Sequence, residues 1–227
     1  MKKIILSIIL FFTFFTQSFS HVDHYQNLNS LEYELFRNNK FIGYHNYKFE
    51  ENNEDLKVES IIKFKIRKLG VDLYNYYAVS EEKYSNNQLI EFSSKTNQNK
   101  KEKWVNINLD TSNNNLKIES YKKKFTAPAE YPVGTWWNHE IVQAKAQISA
   151  ISGRIIEQKV TFLGKEELNL YGKTFNALRF NFASSDNSLP DNKKLNTDVW
   201  YDEVTKIWLK AAFNKTGYWE YRLKVYN

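Results

Sequence analysis

From residue 31 to residue 226 the chain alternates short runs of aromatic and β-branched residues with clusters of Asn, Gly, Lys and Asp. That punctuation predicts an antiparallel all-β domain. Residues 31–37 and 41–50 flank Asn38-Asn39, a pair that tolerates positive φ and suits a tight hairpin. Within residues 57–67, Val58, Ile62, Phe64 and Ile66 fall on one parity, and Glu59, Lys63, Lys65 and Arg67 on the other. One face of that strand is therefore buried. Further runs occupy residues 71–85, 88–96, 103–109 and 116–125, with turns at Asn86-Asn87, residues 97–101 and residues 112–115. Strands joined by short polar turns make a meander, and a long twisted meander coils into a half-barrel or a barrel.

The pattern changes between residues 127 and 152. Pro128 and Pro132 block regular pairing, and Trp136-Trp137-Asn138-His139-Glu140 leads into an alanine-rich stretch. A short helix or irregular crossing near residues 136–150 is expected over one mouth of the sheet, with at least one of Trp136 and Trp137 mostly buried. Strands resume at residues 154–163, 166–170, 173–183, 197–201 with 207–213, and 219–226, and Gly153, Gly164, Gly172 and Gly217 fall at expected turns. The total is about ten to twelve strands, in one antiparallel β domain over residues 21–227. No Pro-, Gly- or Ser-rich linker divides it.

The N-terminus reads as an export signal. Lys2 and Lys3 precede an apolar run from Ile4 to Phe15, followed by small residues at Ser18 and Ser20. The run has 12 residues, whereas a membrane-spanning helix needs about 20. Removal of residues 1–20 takes away both lysines and lowers the formal charge from +6 to +4. No later run is long enough to anchor the chain, so a soluble periplasmic or secreted protein, of bacterial composition, is expected. Cysteine is absent, which a chain able to bury roughly 70% of its unfolded surface tolerates without disulfides.

Candidate chemistry is sparse. His21 and His24 flank Asp23 at the presumed new terminus and read as a polar tail, with no metal site expected. His139 and Glu140 lie side by side, and Asp198 and Asp202 share a face only if one strand runs through both, whereas residues 202–206 read as a hairpin turn; these four are weak polar candidates for proton transfer. Glu81 and Glu82 point to opposite faces of a strand and cannot flank one substrate. No nucleophile elbow or H-E-x-x-H motif accompanies them. No catalytic residue and no cofactor is expected. The patches Lys100-Lys101 and Lys122-Lys123-Lys124 read as solvated edges that discourage aggregation, with no nucleic-acid partner expected.

Aromatic residues carry more weight. Tyr74, Tyr76 and Tyr84 share one parity while Leu73, Tyr77 and Val79 occupy the other, which reads as a strand covered on both faces. A curved sheet with an apolar concave face offers a site for a lipid or other apolar or amphipathic ligand, with Tyr74, Tyr76, Trp136 and Trp137 as lining candidates. The alternative is a structural or protein-binding envelope module whose aromatics form a filled core.

Three stretches carry a family resemblance: Tyr33-Glu34-Leu35-Phe36-Arg37-Asn38-Asn39-Lys40-Phe41-Ile42-Gly43-Tyr44-His45; Lys65-Ile66-Arg67-Lys68-Leu69-Gly70-Val71-Asp72-Leu73-Tyr74 with Ser94-Lys95-Thr96-Asn97; and Val199-Trp200-Tyr201-Asp202. Together with Thr135-Trp136-Trp137-Asn138 and Ser152-Gly153 they resemble the exported bacterial proteins grouped as domain of unknown function 6134. The resemblance spans the mature chain, and its motifs imply hairpins and strand ends, not chemistry. A looser likeness of architecture to periplasmic lipoprotein carriers, whose curved sheets wrap acyl chains, implies an apolar ligand by analogy alone.

Overall fold

Asn-Asn turns start the architecture. In the computed structural model, which describes residue 25, residues 28–52 and residues 54–227, β1 (Ser30–Arg37) and β2 (Lys40–Asn52) are joined by Asn38 and Asn39 at φ 50° and 60°. Both central residues thus have the positive φ whose twist matches that of the flanking strands. Leu69-Gly70 does the same between β3 (Asp55–Lys68) and β4 (Val71–Ser85), Asn86-Asn87 between β4 and β5 (Gln88–Gln98), and Asn99-Lys100 before β6 (Lys101–Asp110). The expected signal segment, residues 1–20, and the His21, Asp23 and His24 tail lie outside the described residues.

The remaining strands are β7 (Asn115–Ser120), β8 (Lys124–Pro128), β9 (Ala146–Ile148), β10 (Ile155–Leu170), β11 (Lys173–Ser184), β12 (Asn196–Asp202), β13 (Trp208–Asn214) and β14 (Tyr218–Tyr226). All pair antiparallel in one 14-stranded sheet, ordered β8 to β1 and then β14 to β9. The sheet is an open meander with β8 and β9 at its edges, and its first and last strands, β1 and β14, pair at its middle.

The count exceeds expectation for identifiable reasons. The run at 116–125 breaks into β7 and β8 because the Ser120 hydroxyl donates to the Lys123 carbonyl and accepts from the Lys122 and Lys123 amides. Ala146–Ile148, fully buried, adds a strand on β10 where a helix was one of two expectations. In the other direction, Gly164 does not turn the chain. It sits at φ 126° in a bulge where β10 runs on past β11, so residues 155–170 are one strand and the expected turn is corrected.

Alternation selects the buried face: Leu31, Tyr33 and Leu35 on β1, Tyr47 and Phe49 on β2, Val105 and Ile107 on β6 are buried. That face is concave. Phe64 on β3 meets Trp219 on β14 with ring centroids 5.4 Å apart, although a flat sheet would separate those strands by about 14 Å. Residues 129–145 cross this concavity and fill it. Trp137, 0% exposed, packs edge-on against Tyr25, Phe49 and Tyr84 at 5.3–5.6 Å. The Tyr47 and Tyr201 hydroxyls donate to the Thr135 and Trp136 carbonyls, pinning the crossing from both halves of the sheet. The only regular coil within it is a 3-10 turn at His139–Val142, capped by Asn138.

The opposite face is solvated. Leu73 and Tyr77 are 55% and 46% exposed, which corrects the reading of β4 as covered on both faces: no second layer lies over the convex side there. Among the described residues no helix is long and apolar enough to cross a membrane.

Candidate functional site

Strands β2 and β3 part company before they end. Their ladder starts at Gly43 opposite Phe64, so Lys40 and Phe41 pair only with β1, Ile42 is skipped at a register shift, and Lys65 to Lys68 pair only with β4. Two local features set the fork. A register shift in the β1–β2 ladder between Leu35 and Phe36 re-aims the start of β2. At the last shared pair the backbones approach so closely that a Cβ on Gly43 would lie 2.0 Å from the Lys63 carbonyl oxygen.

The fork is a groove of about 810 Å³, within the range of about 300–1,000 Å³ typical of small-molecule sites. Phe41, Ile42, Phe64, Ile66 and Leu73 supply apolar walls. Arg37, Lys40, Lys63, Lys65, Arg67 and Lys68 surround them, and no lining residue is acidic. The nearest compensation comes from Asp72, whose carboxylate accepts from Arg67 Nε at 2.6 Å and Lys65 Nζ at 3.2 Å. Those two cations hold the Asp72 carboxyl below its usual range, Arg67 more than Lys65.

Behind the groove runs a continuous aromatic floor. Phe64 stacks on Tyr76 and Tyr74 at 4.8 and 5.8 Å and meets Trp219 edge-on. Trp219 stacks on Phe213 at 5.9 Å, Phe213 reaches Tyr221 at 6.4 Å, and Tyr221 meets Trp136 at 5.9 Å. Tyr74, Tyr76 and Trp136 therefore belong to one surface. Trp137 does not: the left-handed backbone of Trp136, φ 61°, sends the two indoles apart, Trp136 to Trp208 and Tyr221 and Trp137 into the core.

Two buried titratable groups lie in the core, His45 against Tyr221 of the floor and Glu82 farther along β4 beside Trp137. Glu82 accepts from the Trp137 indole at 2.9 Å and the Tyr84 hydroxyl at 2.7 Å, yet burial outweighs both and raises its carboxyl above the ordinary range. His45 is enclosed by Tyr33, Tyr47, Trp208 and Tyr221, and neither ring nitrogen has a partner. Desolvation pushes its pKa down to about 3.

The weak polar candidates are engaged separately. Asp198 is held by Arg179 and Asn181 across β11. Asp202 caps its own turn, accepting from the Val204 and Thr205 amides. His139 is gripped by Tyr25, whose hydroxyl lies 3.1 Å from Nδ1 and accepts from the His139 amide at 2.9 Å. The Glu140 amide is taken by Asn138. Among the described residues no three His, Asp or Glu side chains form a metal-binding group.

The groove itself was missed in the sequence, although a signal was present. In Lys63-Phe64-Lys65-Ile66-Arg67-Lys68 every outward position is cationic, whereas Glu59 and Glu81 temper the charge further along the same hairpin. The family described as domain of unknown function 6134 matches residues 33–224, which include both hairpins of the fork. No curated protein matches the chain.

Proposed function

The chain belongs to the domain of unknown function 6134 family, and we propose that it is an exported binding protein, without catalytic activity, that holds an anionic amphiphile in the groove between its first two hairpins. The observation that carries this reading is the groove's composition: six cationic side chains and no carboxylate around apolar walls. Such a lining suits a ligand with one apolar chain and a carboxylate- or phosphate-type head. Lys and Arg form charge-assisted hydrogen bonds to the head, and each buried CH₂ contributes about 0.8 kcal/mol. Lys2, Lys3 and the apolar run that follows support export. The engagement of Asp198 and Asp202 in cross-strand and turn hydrogen bonds supports a binding role over a catalytic one.

Calorimetric titration below the micelle concentration tests it. Dodecanoate should bind saturably, and each CH₂ removed should weaken binding about fourfold. The Lys65→Glu/Lys68→Glu variant should lose roughly tenfold or more through like-charge repulsion. Equal affinity for dodecyltrimethylammonium, or an undiminished affinity in the charge-reversed variant, would sink the proposal.

A further inference from the structure

We infer that the free end of the β3–β4 hairpin, with Leu69 at its apex, is a docking surface for an anionic lipid bilayer. Beyond the Gly43–Phe64 pair on one side and the Tyr76–Gln98 pair on the other, residues 65–74 form a two-stranded ribbon that neither β2 nor β5 joins in the ladder. A lone ribbon of this kind is marginal in water.

Its apex carries two further costs. Leu69 is 95% exposed and adopts φ 50°, a backbone region that bulky side chains avoid. The equivalent position is Asn38, Asn86 or Asn99 in three other two-residue turns, where the side chain is polar and suited to that φ. Tyr171, at a fourth, recovers its cost by donating from its hydroxyl to Glu34 at 2.7 Å. Leu69 has no such return within the fold, and Val71, Leu73 and Phe41 extend the exposed apolar surface beside it at 55–61% exposure.

Charge identifies the occupant. Lys63, Lys65, Arg67 and Lys68 against Asp72 leave residues 63–73 with a net charge of +3. An apolar tip ahead of a cationic collar matches a surface with acyl chains below anionic head groups, where each cation near the surface strengthens association about fivefold at physiological ionic strength. An acidic protein face would supply the charge but not a reason for a fully solvated leucine at the apex. Docking is separable from ligand binding, because Leu69 does not line the groove.

The test is flotation with phosphatidylglycerol or phosphatidylcholine vesicles, using the full chain and Leu69→Asn. Asparagine suits the turn, so the variant should fold at least as well as the parent. The parent should float with phosphatidylglycerol, weaken as salt rises and stay behind with phosphatidylcholine. Leu69→Asn should lose roughly tenfold or more on phosphatidylglycerol while its dodecanoate affinity is unchanged. Undiminished flotation of Leu69→Asn, or equal partitioning of the parent onto phosphatidylcholine, would overturn the inference. Vesicle discrimination without dodecanoate binding would uphold docking and remove the groove ligand.

Discussion

Trp137→Ala should destabilise the protein by about 4 kcal/mol, near the upper end for truncating a buried aromatic. The indole is completely enclosed, with Tyr25, Phe49 and Tyr84 against its edges, so little can collapse into the space it leaves. Its Nε1–H also donates to Glu82, and the alanine removes that donor from a carboxyl already raised by burial. Trp137→Phe separates the two effects: most of the volume stays, and about 1–3 kcal/mol from the lost hydrogen bond remains. Urea denaturation of the three proteins measures both. If the alanine variant unfolds at the parental midpoint, residues 129–145 do not form part of the core.

An acid limb set by His45 is the second large effect. In the unfolded chain its imidazole takes up a proton near pH 6.5, whereas in the fold burial holds the pKa at about 3. The unfolded state therefore binds more protons across that window. Stability is fully present above about pH 6.5 and falls as pH drops toward 3, by up to about 5 kcal/mol. No carboxylate is among the rings that enclose it, so nothing offsets the charge. Asp110, lowered to about 2 beside Lys117, adds an acid limb of its own at lower pH. His45→Leu isolates the histidine share. The variant should match or exceed the parent at neutral pH, because two unpartnered nitrogens leave the core, and its stability should fall less between pH 6.5 and 3. Parallel pH profiles for the two proteins would refute the assignment.

Local rules made much of the fold legible in advance. Asn38-Asn39 and Asn86-Asn87 announce hairpins because few residues tolerate two consecutive positive φ values, and both pairs have them. The parity of Val58, Phe64 and their neighbours identifies the core face because a strand has a period of two. The prolines from Pro128 onward interrupt the run of strands, β8 ends at Pro128, and the Trp137 indole placed beyond them is buried.

Features that depend on more than one strand were not legible. The groove exists because β2 leaves β3 at Gly43, and that departure needs a register shift in the β1–β2 ladder, which no single run encodes. Leu73 and Tyr77 sit on the parity opposite Tyr74 and Tyr76, and apolar residues on both parities suggest burial on both sides. Only the pairing pattern shows Leu73 on a ribbon with no neighbour. Gly164 illustrates the same limit: its positive φ serves a bulge as readily as a turn, and the partner strand decides which.

The candidate site divides along the same line. Tyr74, Tyr76 and Trp136 were singled out on aromatic density, and the structure joins them in one floor behind the groove. On β3 the cations Lys63, Lys65 and Arg67 alternate with Phe64 and Ile66, and they are brought to one opening with Arg37 and Lys40 only by the fork.

Amide chemical-shift mapping of the folded protein titrated with dodecanoate tests the central claim most directly. The account predicts saturable shifts concentrated at residues 40–44 and 63–73, on the two sides of the fork, with residues 146–170 undisturbed. Shifts confined to β9 and β10, or none at saturating dodecanoate, would contradict it.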